Sequence, residues 1–221
     1  MKLLIEALTK FACGLVLVGL LLFLPAGTIC YPNGWLLAGI LFVPMLIAGF
    51  VMLFKTPDFL KKRLDGKEKQ GKQKSVVAFS GLMFIAGFVV AGLDFRFGWS
   101  QVPTWVIIMA SVLFLIAYAL YAEVMRENAY LSRTVKVEAG QTVVDTGLYG
   151  IVRHPMYAVT ILLFGMIPLI LGSWYAMIAF AFYPAIIIVR LKDEEELLTR
   201  ELPGYAEYKK KVKYRIIPFI W

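Results

Sequence analysis

An all-α, polytopic integral membrane fold of about six transmembrane helices is predicted by three features of this sequence. Hydrophobic residues make up 60% of 221 positions, and a mean hydropathy of +0.75 leaves more apolar surface than a water-facing fold of that size can bury. Six apolar runs lack Asp, Glu, Lys, Arg and His altogether, and a hydrocarbon layer of about 30 Å needs roughly 20 helical residues to cross. If all six cross, 22 of the 23 Lys and Arg fall on one face, Arg96 being the exception. The positive-inside rule makes that face cytoplasmic and places both termini there. The net charge of +8 then reflects topology and attraction to anionic lipid, with no call for nucleic acid as a partner.

Taken in order, the first four runs extend approximately over Phe11 to Ile29, Trp35 to Phe54, Val76 to Leu93 and Thr104 to Tyr121. The first follows Lys2 and Lys10 but lacks a small-residue cleavage site, so it is expected to be retained as a span. Cys13 and Cys30, in or beside it, have no spacing that suggests metal or redox chemistry and are expected to be buried. Between the second and third runs lies a basic loop, 55–75, in which Thr56-Pro57-Asp58 starts a short interfacial helix. Gly66 and Gly71 favour flexibility in the second half of that loop.

The longest polar stretch, Glu123 to His154, reads differently. Val135 and Val137 alternate with polar residues, Glu138-Ala139-Gly140-Gln141 suits a turn, and Val143-Val144 follow, so a hairpin or paired extended segment is expected. Met156 to Leu171 and Trp174 to Val189 are separated only by Gly172-Ser173, which permits nothing but a tight helical hairpin. Pro184 should bend the last span, which continues as a charged helix until Pro203-Gly204 stops it. An amphipathic piece, Tyr205 to Tyr214, closes the chain's helical content at the headgroups. The chain thus divides into four N-terminal helices with their basic loop (1–125) and a C-terminal unit built on the last hairpin (126–221).

Polar chemistry concentrates at one end of that hairpin. Tyr149, Arg153, His154, Pro155 and Tyr157 stand where it begins, and Arg190, Glu194 and Glu195 stand where it ends. Antiparallel neighbours joined by a tight turn must bring these residues together. Arg190 and Glu194 are four apart and share a helical face, whereas Glu195 points about 100° further round. A single histidine excludes a metal-ligand cluster of the usual kind, and neither a phosphate-cradling glycine loop nor a nucleophile elbow is present.

The stretch Gly147-Leu148-Tyr149-Gly150-Ile151-Val152-Arg153-His154-Pro155-Met156-Tyr157, then Arg190-Leu191-Lys192-Asp193-Glu194-Glu195, then Tyr205 and Tyr208, resembles the isoprenylcysteine carboxyl methyltransferase family. The resemblance extends over roughly Asn128 to Pro218, and the first four spans match only in being apolar. It implies S-adenosylmethionine as cofactor, held by Tyr149, Arg153, His154, Pro155, Tyr157, Glu194, Glu195 and Tyr205. It further implies that Arg190 and Glu195 act catalytically on a lipidic acceptor reached from the membrane, at the cytoplasmic face. One position departs from the family pattern, since many members have Gly where this chain has Val159.

Charge considerations agree with that expectation. S-adenosylmethionine carries a sulfonium and an ammonium, and a site beside lipid needs carboxylates to offset them. A carboxylate acceptor is already ionised at neutral pH and needs no general base. Holding acceptor, methyl and sulfur in line is worth roughly 7 to 11 kcal/mol. The rival expectations are an amine acceptor, as in phospholipid N-methylation, which needs a base; a membrane reductase using a nicotinamide cofactor; and a non-catalytic lipid-binding or transport protein, against which stands the lack of charge at mid-depth.

Overall fold

The computed structural model describes residues 1–65, 71–132 and 134–221. Nine α-helices form among them: α1 (Lys2–Ala26), α2 (Pro32–Lys55), α3 (Pro57–Leu64), α4 (Gly71–Phe97), α5 (Thr104–Glu127), α6 (Pro155–Ile170), α7 (Trp174–Phe180), α8 (Tyr183–Glu201) and α9 (Tyr205–Lys211). No strand forms among the described residues. Of the two loop glycines expected to confer flexibility, Gly66 lies outside the described residues and Gly71 begins α4.

Five helical stretches have the length and apolar composition to cross a membrane: α1, α2, the body of α4, α5, and α7 continued by α8. Helix α6 is equally apolar but has 16 residues, a rise of about 24 Å, and falls short of a full span. The last stretch is interrupted at Ala181 and Phe182, because Pro184 at the start of α8 cannot donate the bond that would continue α7.

Outward faces are apolar: Leu15, Val16, Leu20 and Leu24 of α1, for example, remain exposed, as suits contact with lipid. Cys13 and Cys30 share that exposure, contrary to the burial expected from their sequence context. A chain whose solvent is hydrocarbon turns such residues outward at no cost. The interior instead gathers residues from α4, α5, α6 and α7, among them Phe88, Phe114, Leu163 and Phe180. Helix α4 approaches α1 so closely that a Cβ at Gly92 would meet the Leu22 carbonyl at 2.5 Å.

The expected hairpin between α5 and α6 does not form a ladder. Its turn is there, closed by Gln141 N–H donating to the Glu138 carbonyl at 3.1 Å, with Gly140 at φ 73°. Its arms find other partners: Gln141 Oε1 accepts from the Glu138 N–H at 2.9 Å, and Val137 and Val143 pack against Leu198, Leu202, Tyr205 and Tyr208. Burial against α8 and α9 displaces cross-strand pairing.

At the opposite end of the bundle, the turn between α6 and α7 is fastened to α4 by Asp94, which is 1% exposed. Its carboxylate accepts from Ser100 N–H at 2.7 Å, Ser100 Oγ at 2.6 Å and Ser173 Oγ at 2.5 Å. Ser173 Oγ accepts in turn from Ala176 N–H and so caps α7, and Tyr31 OH donates to the Leu171 carbonyl at 2.6 Å. This staple fixes where the hairpin turns, and therefore where its other end lies. Replacing Asp94 by Ala orphans three donors and is expected to cost about 2 to 3 kcal/mol, seen as a lower denaturation midpoint in detergent; an unchanged midpoint contradicts the staple.

Candidate functional site

The two polar clusters flanking the hairpin meet. His154 Nε2 lies 3.3 Å from Glu195 Oε1, and Arg153 Nε donates to the same oxygen at 2.6 Å. Arg215, from the segment after α9, donates to Glu195 Oε2 at 3.0 Å. Arg153, His154 and Glu195 are 7%, 5% and 5% exposed, so the ionised groups satisfy one another out of contact with solvent. An ionised Glu195 can only accept, so the contact from His154 is a hydrogen bond when Nε2 carries a proton.

The C-terminal segment is bound to this hub by its backbone. Arg153 and His154 N–H groups donate to the carbonyls of Tyr214 and Arg215 at 2.9 and 2.8 Å. Arg153 Nη1 reaches the carbonyls of Val212 and Lys213 at 2.8 and 2.9 Å. These bonds run along the residues that precede α6, whose first turn starts with Pro155, where a missing N–H costs nothing. Tyr205 and Tyr208 are buried: Tyr208 OH donates to the Tyr149 carbonyl at 2.7 Å, and Tyr205 OH lies 3.4 Å from His154 Nε2. Burial pushes the phenols of Tyr149, Tyr205 and Tyr208 well above the usual tyrosine range, so all three stay protonated.

Beside the hub opens a cavity of about 510 Å³, lined by Tyr149, Arg153, His154, Tyr157, Arg190, Glu194 and Tyr205 among others. On its wall Arg190 Nε donates to Tyr157 OH at 3.0 Å, and that hydroxyl donates to Glu194 Oε2. Glu195 and Pro155 are not part of the lining. Consecutive carboxylates on α8 thus face different surroundings, Glu194 toward the cavity and Glu195 toward its own cations, as the 100° helical step requires.

Four contributors escaped sequence reasoning. Arg215 closes the ion cluster from beyond α9. Arg63 and Tyr121, hydrogen-bonded to each other, line the cavity from α3 and α5. The loop around Tyr130 to Val144 forms another wall and is tied to α3 by the Lys62–Glu138 ion pair. Asn128, where the family resemblance begins, donates from Nδ2 to Tyr149 OH at 3.0 Å.

Tyr149 is presented by a 3₁₀ turn, Gly147–Gly150, whose geometry requires glycine at its start. Gly147 has φ 51°, and the Glu127 carboxylate occupies the space where a Cβ would project while accepting from Leu148 N–H at 3.0 Å.

The segment that builds these elements is recognisable outside this chain. Residues 105–200 match the model of the Isoprenylcysteine carboxyl methyltransferase (ICMT) family. This agrees at the level of family with the resemblance carried by the Arg153-His154-Pro155 and Glu194-Glu195 motifs. The ICMT match takes in α5, the Tyr149 turn, α6, α7 and nearly all of α8, while α1 to α4 and α9 lie outside it. A curated relative, the uncharacterized protein YpbQ of Bacillus subtilis (strain 168), is 29% identical over 99 residues. That alignment covers 44% of this chain and 59% of the relative's length.

Gly147→Ala is expected to destabilise the Tyr149 turn by about 1 to 3 kcal/mol. Limited proteolysis should then cut faster between α5 and α6, and cutting at the wild-type rate contradicts the requirement for glycine.

Proposed function

We propose that this chain is a membrane-embedded, S-adenosylmethionine-dependent methyltransferase that O-methylates a carboxylate on an isoprenoid or other lipidic acceptor, with its site at the cytoplasmic face. The observation that carries the reading is the Glu194–Tyr157–Arg190 chain on the wall of a 510 Å³ cavity, within a segment of ICMT-family sequence. A cavity of that size falls in the range of small-molecule sites, roughly 300 to 1,000 Å³. Its lining suits the cofactor: the Glu194 carboxylate for a cationic ligand, phenol rings for a purine and methionine chain, and Arg190 linked to that carboxylate through the Tyr157 hydroxyl.

When bound, S-adenosylmethionine supplies an activated methyl group on a positively charged sulfur. The chain's own residues then have binding and placement to perform. Glu194 offsets positive charge at the cavity wall. Tyr157, held between Glu194 and Arg190, fixes the distance between the anionic and cationic parts of the site. Arg190 is placed to hold a carboxylate acceptor by one oxygen, leaving the other free to react. Glu195 is a positioning residue: through Arg153, His154 and Arg215 it holds the cavity's base and draws the C-terminal segment over it. Tyr205 and the described residues of the loop from Tyr130 to Val144 wall the cavity and limit the access of water.

An amine acceptor would need a base to take its proton. A carboxylate acceptor needs none, and that is what favours it over phospholipid N-methylation.

Isothermal titration of the purified chain with S-adenosylmethionine and, separately, with NADPH tests the class. Binding of the former alone is expected. Glu194→Gln should weaken that binding tenfold or more with no loss of thermal stability. Binding of NADPH alone, or unchanged affinity in the variant, overturns the assignment.

A further inference from the structure

An open groove of about 400 Å³ lies between α8, α9 and the segment that follows α9. The ion cluster stands between this groove and the cavity beside Glu194: Arg153 and His154 line the cavity and Glu195 does not, whereas Glu195 and Arg215 line the groove. Four cations face it, Lys192 and Arg200 of α8, Lys209 of α9 and Arg215, together with Glu195, Glu196 and the hydroxyl of Thr199.

Some of these charges are already engaged. Both oxygens of Glu195 are taken, Oε1 by Arg153 and His154 and Oε2 by Arg215, and Arg200 pairs with Glu201 at 2.7 Å. The other cations are not used up. Among the described residues Lys192 has no carboxylate within ion-pair distance, Lys209 Nζ reaches a neutral partner, Thr199 Oγ1, at 3.4 Å, and Arg215 spends Nε on Glu195 while its two Nη groups have no hydrogen-bond partner. Against these three stands Glu196, an exposed carboxylate that solvent screens. Like charges drawn from three segments repel, and an anion among them relieves that repulsion. Depth suggests which anion. Val189, 53% exposed, is the last outward apolar residue of the membrane-crossing stretch formed by α7 and α8. Lys192 follows it by about 4.5 Å along the helix, where hydrocarbon gives way to headgroups.

We infer that the groove binds the phosphate of an anionic phospholipid from the leaflet at this end of the bundle, with Lys192, Lys209 and Arg215 around it. A guanidinium offers paired N–H groups to phosphate oxygens, and the lysines add point charges on either side. Arg215 keeps its Nε bond to Glu195 while Nη meets the phosphate. The lipid thereby joins α8, α9 and the C-terminal segment, and favours the docked position of that segment, since undocking disperses the three cations. Lys209 and Arg215 lie outside the ICMT-family segment. The inference makes no use of the methyltransferase reading: the groove answers to lipid, and the cavity across the ion cluster answers to its own ligand.

The test compares the full chain in nanodiscs of phosphatidylcholine and of phosphatidylcholine mixed with phosphatidylglycerol, whose phosphate has no attached cation. The readout is hydrogen exchange at the backbone amides of Arg153 and His154, which donate to the Tyr214 and Arg215 carbonyls and so report docking. Exchange is expected to slow by about fivefold or more in the mixed bilayer. Lys192→Gln combined with Lys209→Gln should match the wild type in phosphatidylcholine and lose the slowing by phosphatidylglycerol, and Lys192→Arg combined with Lys209→Arg should retain it. Lys210→Gln combined with Lys213→Gln removes the same charge from outside the groove and should leave the response intact. Equal exchange in the two bilayers overturns the inference, as does equal loss of the response in both glutamine pairs, which means attraction to surface charge only. Slowing to the same extent by inorganic phosphate, added to the phosphatidylcholine nanodiscs, means a free anion and overturns the lipid assignment. A response to phosphatidylglycerol in a chain that binds no S-adenosylmethionine keeps the inference and removes the methyltransferase reading alone.

Discussion

Glu195 is one carboxylate held by two guanidinium groups and an imidazole, and with those three donors it ties together three parts of the chain. Arg153 and His154 precede α6, Glu195 belongs to α8, and Arg215 follows α9. A buried ion cluster of this kind is weak evidence for net stability, since the charges give up hydration to meet. What it specifies is register. Glu195 is the acceptor that Arg153, His154 and Arg215 share, and removing it leaves those three groups facing one another with no anion between them. The cavity beside it, the burial of Tyr205 and the path of the C-terminal segment all follow from that constraint.

The same helix shows how neighbouring residues of one type take different tasks. Glu194 and Glu195 are chemically equivalent in sequence, yet the helical step turns one toward the cavity and the other toward Arg153 and Arg215. In the proposed enzyme only Glu194 offsets ligand charge, because Glu195 is already neutralised by its partners. Arg190, one turn before Glu194, is linked to it through the hydroxyl of Tyr157. Cationic and anionic groups therefore share one hydroxyl along about one turn of α8.

Much of this was legible in the sequence, for reasons that differ by element. Charge-free apolar runs mark α1, α2, α4, α5 and the last hairpin because lipid demands continuous helix. The convergence of His154 with Glu195 followed from the two-residue turn Gly172-Ser173, which forces antiparallel packing. Other features had no local signal. The arms around Glu138–Gln141 alternate as strands do, but Val137 and Val143 find better burial on Leu198 and Tyr205. Arg63 sits in a run of basic residues, where charge alone does not distinguish it from Lys61 or Lys62. Asp94 borders an apolar run, and only the fold places Ser100 and Ser173 around it. Cys13 and Cys30 carry no local signal of exposure, and only the fold shows α1 turning most of its surface, Cys13 included, to lipid.

Hydrogen exchange at the backbone amides of Arg153 and His154 tests the organising role of Glu195 most directly, because those amides donate to Tyr214 and Arg215 and report on whether the C-terminal segment is docked. Wild-type chain should protect both amides. In Glu195→Gln, exchange should accelerate by about 10- to 100-fold at 153–154 and at 214–216 together, as expected for losing charged hydrogen bonds of roughly 1.5 to 3 kcal/mol. Exchange that stays at the wild-type rate in the variant, or that quickens at only one of the two segments, contradicts the account.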